Sequence, residues 1–171
     1  MCCDGTLFDV VKLEPTDNAQ QLKAQGLPVT LSRAKAPVAR FPQPCAALCE
    51  DCTCRVYPDR PWQCRAFECG VLQQAKAGRI TFASALRQVK QARRRADRVR
   101  QLLRELGDTD EHRGLGERCH RTSERLESSD ATPAAKAKFA DLSLAIHRLK
   151  LQTLDKFYVE TPAYHPTREQ G

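Results

Sequence analysis

The stretch from Cys45 to Cys69 restricts this chain more than any other: six of its nine cysteines fall there, at uneven spacing. Cys2 and Cys3 stand at the very start, and only Cys119 lies elsewhere. No histidine accompanies the clustered thiols. Thiols gathered this densely serve as disulfides, as a structural zinc site, or as ligands of an iron–sulfur cluster. Nine is odd, so full pairing leaves one thiol over. The start, Met-Cys-Cys-Asp-Gly, lacks the basic and apolar regions of a secretory signal, and a cytoplasmic location is expected. Reductants there keep thiols free, which favours a metal over a disulfide framework.

Composition adds a division of charge. The net charge is +7, with 41% apolar and 6% aromatic residues, so the core should be modest. Residues 1–70 balance eight basic against eight acidic residues, and residues 71–171 carry the whole excess. No run approaches the roughly 18 apolar residues of a membrane span. A neutral cysteine-bearing lobe at 1–70, a basic helical region at 71–160 and a flexible tail at 161–171 follow.

Local chemistry predicts the elements. Leu7 to Leu13 and Leu27 to Leu31 read as short strands. Glu14-Pro15-Thr16-Asp17 starts a short helix over Asn18–Gln25, closed by Gly26. Pro37, Pro42 and Pro44 make residues 33–44 extended, and Pro58 and Pro61 give the cysteine block turns. Val71 to Ala77 forms a helical turn or two. Thr81 caps a long helix ending at Leu106 and Gly107, with a seam of Phe82, Leu86, Val89, Ala96, Val99, Leu103 and Leu106 interrupted by Arg93. Residues 108–116 form a loop, 117–126 a weak helix, and Thr132-Pro133 opens a third amphipathic helix to about Phe157. The fold class expected is mainly α, with a small, irregular, loop-rich α+β lobe before a basic helical hairpin or bundle.

By spacing alone, Cys49-Glu-Asp-Cys52 is the single knuckle-like pair. The longer run resembles a known pattern. Cys54-Arg-Val-Tyr57-Pro-Asp-Arg60-Pro61-Trp-Gln-Cys64-Arg65-Ala-Phe67-Glu-Cys69 is similar to the signature of the YkgJ-like cysteine-cluster family, whose members are described as zinc- or iron-chelating proteins. That signature reads Cys-x-Ile-Tyr-x-x-Arg-Pro-x-x-Cys-Arg-x-Phe-x-Cys, with Val56 here replacing its isoleucine. Cys45-Ala-Ala-Leu48 resembles its upstream cysteine and leucine. Cys2-Cys3-Asp-Gly looks like the end of its Cys-x-x-Cys-x-x-Cys-Cys piece. The first two cysteines of that piece are absent. Either the true start lies upstream or this member has lost part of its site, and the former is preferred because Met1 abuts the motif. The resemblance covers residues 2–69 and leaves the helical half unmatched.

The resemblance implies Cys2, Cys3, Cys45, Cys54, Cys64 and Cys69 as ligands of zinc or iron, the latter as an ion or an iron–sulfur cluster. Cys49 and Cys52 are extra ligands, alternative ligands or incidental loop thiols. Four thiolates leave a zinc site at about −2, a charge that Arg60 and Arg65 can offset by donating to sulfur. Tyr57 stands beside them as supporting packing.

Metal binding with an unspecified reaction is the expectation, and whether the protein is an enzyme stays open. A redox or protein-modifying iron–sulfur protein is one alternative, because such cysteine clusters also occur in proteins that methylate flagellin lysines. Another is a nucleic-acid-binding module, since Arg79 to Arg104 carries nine basic residues against Asp97 alone, a pattern suited to phosphates. A protein partner is the third kind of company the chain could keep. Cys119-His120 reads as incidental, and no catalytic triad or phosphate-binding loop is present.

Overall fold

The structure is a computed structural model of the chain and describes residues 1–128 and 132–159. The tail expected at 161–171 lies outside the described residues.

A small sheet organises the N-terminal lobe. Strands β1 (Val10–Lys12), β2 (Thr30–Leu31) and β3 (Ala39–Pro42) pair antiparallel in the order β1-β3-β2. Val11 stands opposite Phe41, and Thr30 opposite Arg40. The expected strands are shorter than predicted. The segment expected to run merely extended supplies the central strand: proline density argued against pairing, but Pro42 sits at the strand's end, where a missing donor costs least. Helix α1 (Ala19–Ala24) is capped by the Asn18 side chain, which accepts from the Gln21 N–H at 2.9 Å. Val11, Leu13, Leu22, Leu27, Phe41 and Val56 close a core beneath the sheet, and Cys45, Cys54 and Cys64 pack against it.

The rest is helical: α2 (Trp62–Ala66), α3 (Gly70–Lys76), α4 (Phe82–Glu105), α5 (Leu115–Glu127) and α6 (Pro133–Lys156). The ends obey local rules. The Thr81 hydroxyl accepts from the Ser84 N–H at 3.1 Å, and Thr132 accepts from Ala135 with Pro133 in the first turn. Gly107 stops α4 at φ 82, a left-handed conformation that glycine adopts without a Cβ clash.

Helices α4 and α6 run antiparallel, with Gln88 beside Gln152, Arg95 beside Arg148 and Glu105 beside Lys138. Ala96, Val99, Leu102, Leu103, Leu142 and Leu149 fill the space between. The seam differs at its start from the sequence expectation. Ala85 and Ala92 are buried, whereas Phe82 is 78% exposed and Leu86 44%. The heptad spacing is unbroken through Ala85, Val89, Ala92, Ala96, Val99 and Leu103, and Arg93 stands outside it. Small alanines take those positions because α3 and the N-terminal residues crowd this end of α4, where Leu7, Val71, Ala85, Ala92 and Phe157 form a third core.

That third core ties the two regions together. Arg100 on α4 reaches the Thr6 hydroxyl at 2.8 Å and the Asp4 carbonyl at 3.2 Å. The Leu115 N–H donates to the Gly5 carbonyl at 2.7 Å. Residues 1–7 therefore pack on the helices even though they belong by sequence to the cysteine lobe. Among the described residues no helix is long and apolar enough to cross a membrane.

Candidate metal centre

Four separate pieces of chain bring thiols to one cavity. Cys3 comes from the N-terminal turn, Cys45 from the segment after β3, Cys54 from a tight reversal and Cys64 from α2; all four line a cavity of about 630 Å³.

Each piece is fixed by bonds to its neighbours. The Cys45 N–H donates to the Cys3 carbonyl at 2.8 Å, locking those two backbones side by side. Leu48 bridges Cys54 across the reversal, and the Arg55 N–H donates to the Ala47 carbonyl at 2.9 Å. Short α2 is held from two sides. The Asp17 carboxylate accepts from the Trp62 N–H at 2.8 Å at its start, and the Gln63 side chain accepts from the Lys12 N–H of β1 at 2.7 Å. Cys64 is thereby pinned between the sheet and the approach to α1.

The surroundings are apolar, and this sets the thiols' protonation. Phe8, Phe41, Val56 and Phe67 contribute to the wall, Phe8 and Phe67 meeting edge to face at 4.8 Å. Burial pushes the Cys64 thiol up to about 12, with the nearby Cys3, Cys45 and Cys54 adding to the effect and Arg60 opposing it. Burial likewise raises Cys3 and Cys45.

The remaining expected ligands are distributed differently. Cys2 also lines the cavity, but it packs with Cys69 against the third core, and burial pushes its thiol up to about 11. Cys69 does not line the cavity, nor does Cys49. Cys52 lines it, but is exposed and holds φ 67. The knuckle-like pair forms the reversal itself: the Cys52 N–H donates to the Cys49 carbonyl and the Cys49 N–H to the Thr53 carbonyl, both at 2.9 Å. All nine cysteines are free thiols. Among the described residues no group of three or more His, Cys, Asp or Glu side chains stands in a geometry that holds a metal ion.

The expected supporting residues also separate. The Arg60 guanidinium lies 3.7 Å from the Tyr57 ring centroid, and its Nε donates to the Tyr57 carbonyl at 3.1 Å. Both residues line the cavity, whereas Arg65 does not. Arg55, which does not line the cavity, favours the charged form of Cys45. Sequence reasoning missed Gln43, which lines the same cavity while 2% exposed. A lone glutamine carries no spacing signal; its only mark was its place between Pro42 and Pro44, just before Cys45.

No family model, no curated protein and no solved structure matches the chain.

Thiols are a donor type that zinc and iron take: Cys3, Cys45, Cys54 and Cys64 line one cavity together with Cys2 and Cys52, and the buried Gln43 Oε1 in the same lining has no hydrogen-bond partner. Four cysteines are the complement of a closed zinc site or of one iron–sulfur cluster.

Proposed function

We propose that this protein binds zinc or iron, the latter as an ion or an iron–sulfur cluster, through the clustered cysteines of its N-terminal lobe. The observation that carries this reading is the convergence of Cys3, Cys45, Cys54 and Cys64, distant in sequence, on a single cavity. The motif from Cys54 to Cys69, with its resemblance to zinc- and iron-chelating proteins, supports it. Zinc would supply a cross-link that holds the lobe together, and an iron–sulfur cluster would supply an electron-transfer site.

The chain's own residues prepare for that role. Burial favours the protonated forms of Cys3, Cys45 and Cys64, so ligation there releases protons and affinity rises with pH. Arg60 and Arg55 stand where their positive charge favours the thiolate forms of Cys64 and Cys45. Cys3, Cys45, Cys54 and Cys64 would hold the metal, and it would join the N-terminal turn, the reversal at Cys54 and α2. Metal uptake and lobe rigidity are thereby coupled.

The test is metal and acid-labile sulfide content after purification without oxygen. Cys54→Ser and Cys64→Ser should lose the metal, and Cys49→Ser should keep it. Wild-type protein without metal, or a Cys64→Ser variant that retains it, contradicts the reading.

A second reading has its own observation. Arg87, Lys90 and Arg94 lie along one exposed face of α4, and none has a carboxylate partner among the described residues. Arg100 and Arg104, by contrast, pair with Asp97 and Glu111. An unneutralised stripe of this kind suits nucleic-acid phosphates. Its test is DNA and RNA binding across a salt series, in which a shallow slope or no binding counts against it.

A further inference from the structure

Among the described residues that line the thiol cavity, Gln43 is the polar side chain that is fully buried. It is 2% exposed, and its Oε1 has no hydrogen-bond partner. The backbone is firmly set, its N–H donating to the Asp9 carbonyl at 2.9 Å. Two residues on, Cys45 is held against Cys3. The side chain thus lines the cavity from the segment after β3 that also delivers a thiol.

A buried amide with an unsatisfied end is costly, and a leucine of similar shape would fill the same space without that cost. Much of the surrounding wall is hydrocarbon, so sulfurs that become thiolates there find few groups able to face negative charge. A half-turn about the Cγ–Cδ bond exchanges the ends of the amide and turns its N–H donors where its oxygen stood. Hydrogen bonds to ligand sulfurs strengthen a metal site and set the potential of an iron–sulfur cluster.

We propose that Gln43 is a positioning residue of this centre, donating an amide N–H to a metal-bound thiolate. The proposal rests on the metal-binding reading above, and it places the cost of the buried amide in the metal-free state and its use in the loaded one. The metal-free protein tolerates the unsatisfied oxygen, and the loaded protein uses the amide.

Two near-isosteric variants test it, with Co²⁺ as the probe and its thiolate absorbance as the readout. Gln43→Leu should weaken Co²⁺ binding by about 10–100-fold, the usual effect of losing such a contact. Gln43→Glu should weaken it further, because its carboxylate repels thiolate. Metal-free Gln43→Leu should melt no lower than wild type. Equal Co²⁺ affinity in Gln43→Leu and wild type overturns the proposal alone. So does a metal-free Gln43→Leu that melts far lower and loses affinity to the same extent as Gln43→Glu, since Gln43 is then a packing residue. Wild-type protein that takes up no Co²⁺ overturns the metal-binding reading itself, and this proposal with it.

Discussion

Asp9 and Gly114 touch so closely that residue 114 has no room for a side chain: a Cβ there would lie 2.1 Å from Asp9 Oδ1 and 2.9 Å from Asp9 Cα. The same carboxylate reaches the Glu117 N–H at 3.4 Å, at the start of α5. A negative charge at a helix N-terminus is favourable. One residue leading into β1 thus docks the cysteine lobe onto the helical region.

Gly114→Ala should therefore destabilise the protein by about 1–3 kcal/mol, the usual range for overpacking. Adding Asp9→Ala should recover part of the loss, because the carboxylate clash goes while the backbone contact stays. Urea unfolding of both single variants and the double variant measures this coupling. Strict additivity would mean that the contact is not what limits residue 114.

Arg118 and Asp108 form a buried pair at 2.7 Å, with side chains 3% and 12% exposed. Removing one partner strands the other, so Asp108→Ala should cost about 3–5 kcal/mol. Arg118→Met should cost less, since it leaves no buried guanidinium behind. Denaturant midpoints of the two variants test the order, and a milder Asp108→Ala would contradict it.

Cys119 belongs to the helical core rather than to the thiol cavity. Cys119→Ala should leave metal content unchanged. Burial pushes this thiol up to about 11 from an ordinary 9.0. A raised folded-state value means the neutral form is favoured in the fold. Its contribution is complete below pH 9 and is lost as pH rises through about 11. Stability measured at about pH 8 and about pH 10 should fall more in wild type than in Cys119→Ala, and parallel falls would count against a buried thiol.

The α4 seam makes a sharp contrast between neighbours. Ala92→Leu should cost about 1–3 kcal/mol, because the third core has no room for it. Arg93→Leu and Phe82→Ser, at exposed positions, should stay within about 0.5 kcal/mol of wild type. Thermal melts that reverse this order would restore the seam read from Phe82 and Leu86.

Much of the helical architecture was legible because helix ends obey short-range chemistry. Thr81, Gly107 and the Thr132-Pro133 pair act on groups within a few residues, so their types alone set where α4 and α6 begin or end. The choice of Ala85 and Ala92 over Phe82 and Leu86 was not legible. Hydrophobicity favours the larger residues, and only the crowding of α3, Leu7 and Phe157 against α4 decides for the smaller ones. Strand β3 was hidden for a related reason: its partners lie on both sides of it in space, and prolines mask its local signal. For the cysteines, the sequence determined their number and density, on which the expectation of metal binding rests. Tertiary structure decided the grouping. It brought Cys3, Cys45, Cys54 and Cys64 around one cavity, turned Cys49 into a bend, set Cys69 beside Cys2 against another core, and added Gln43. Spacing along a chain fixes which thiols can meet within a turn. Which thiols meet across the fold depends on how the sheet, α2 and the N-terminal residues pack.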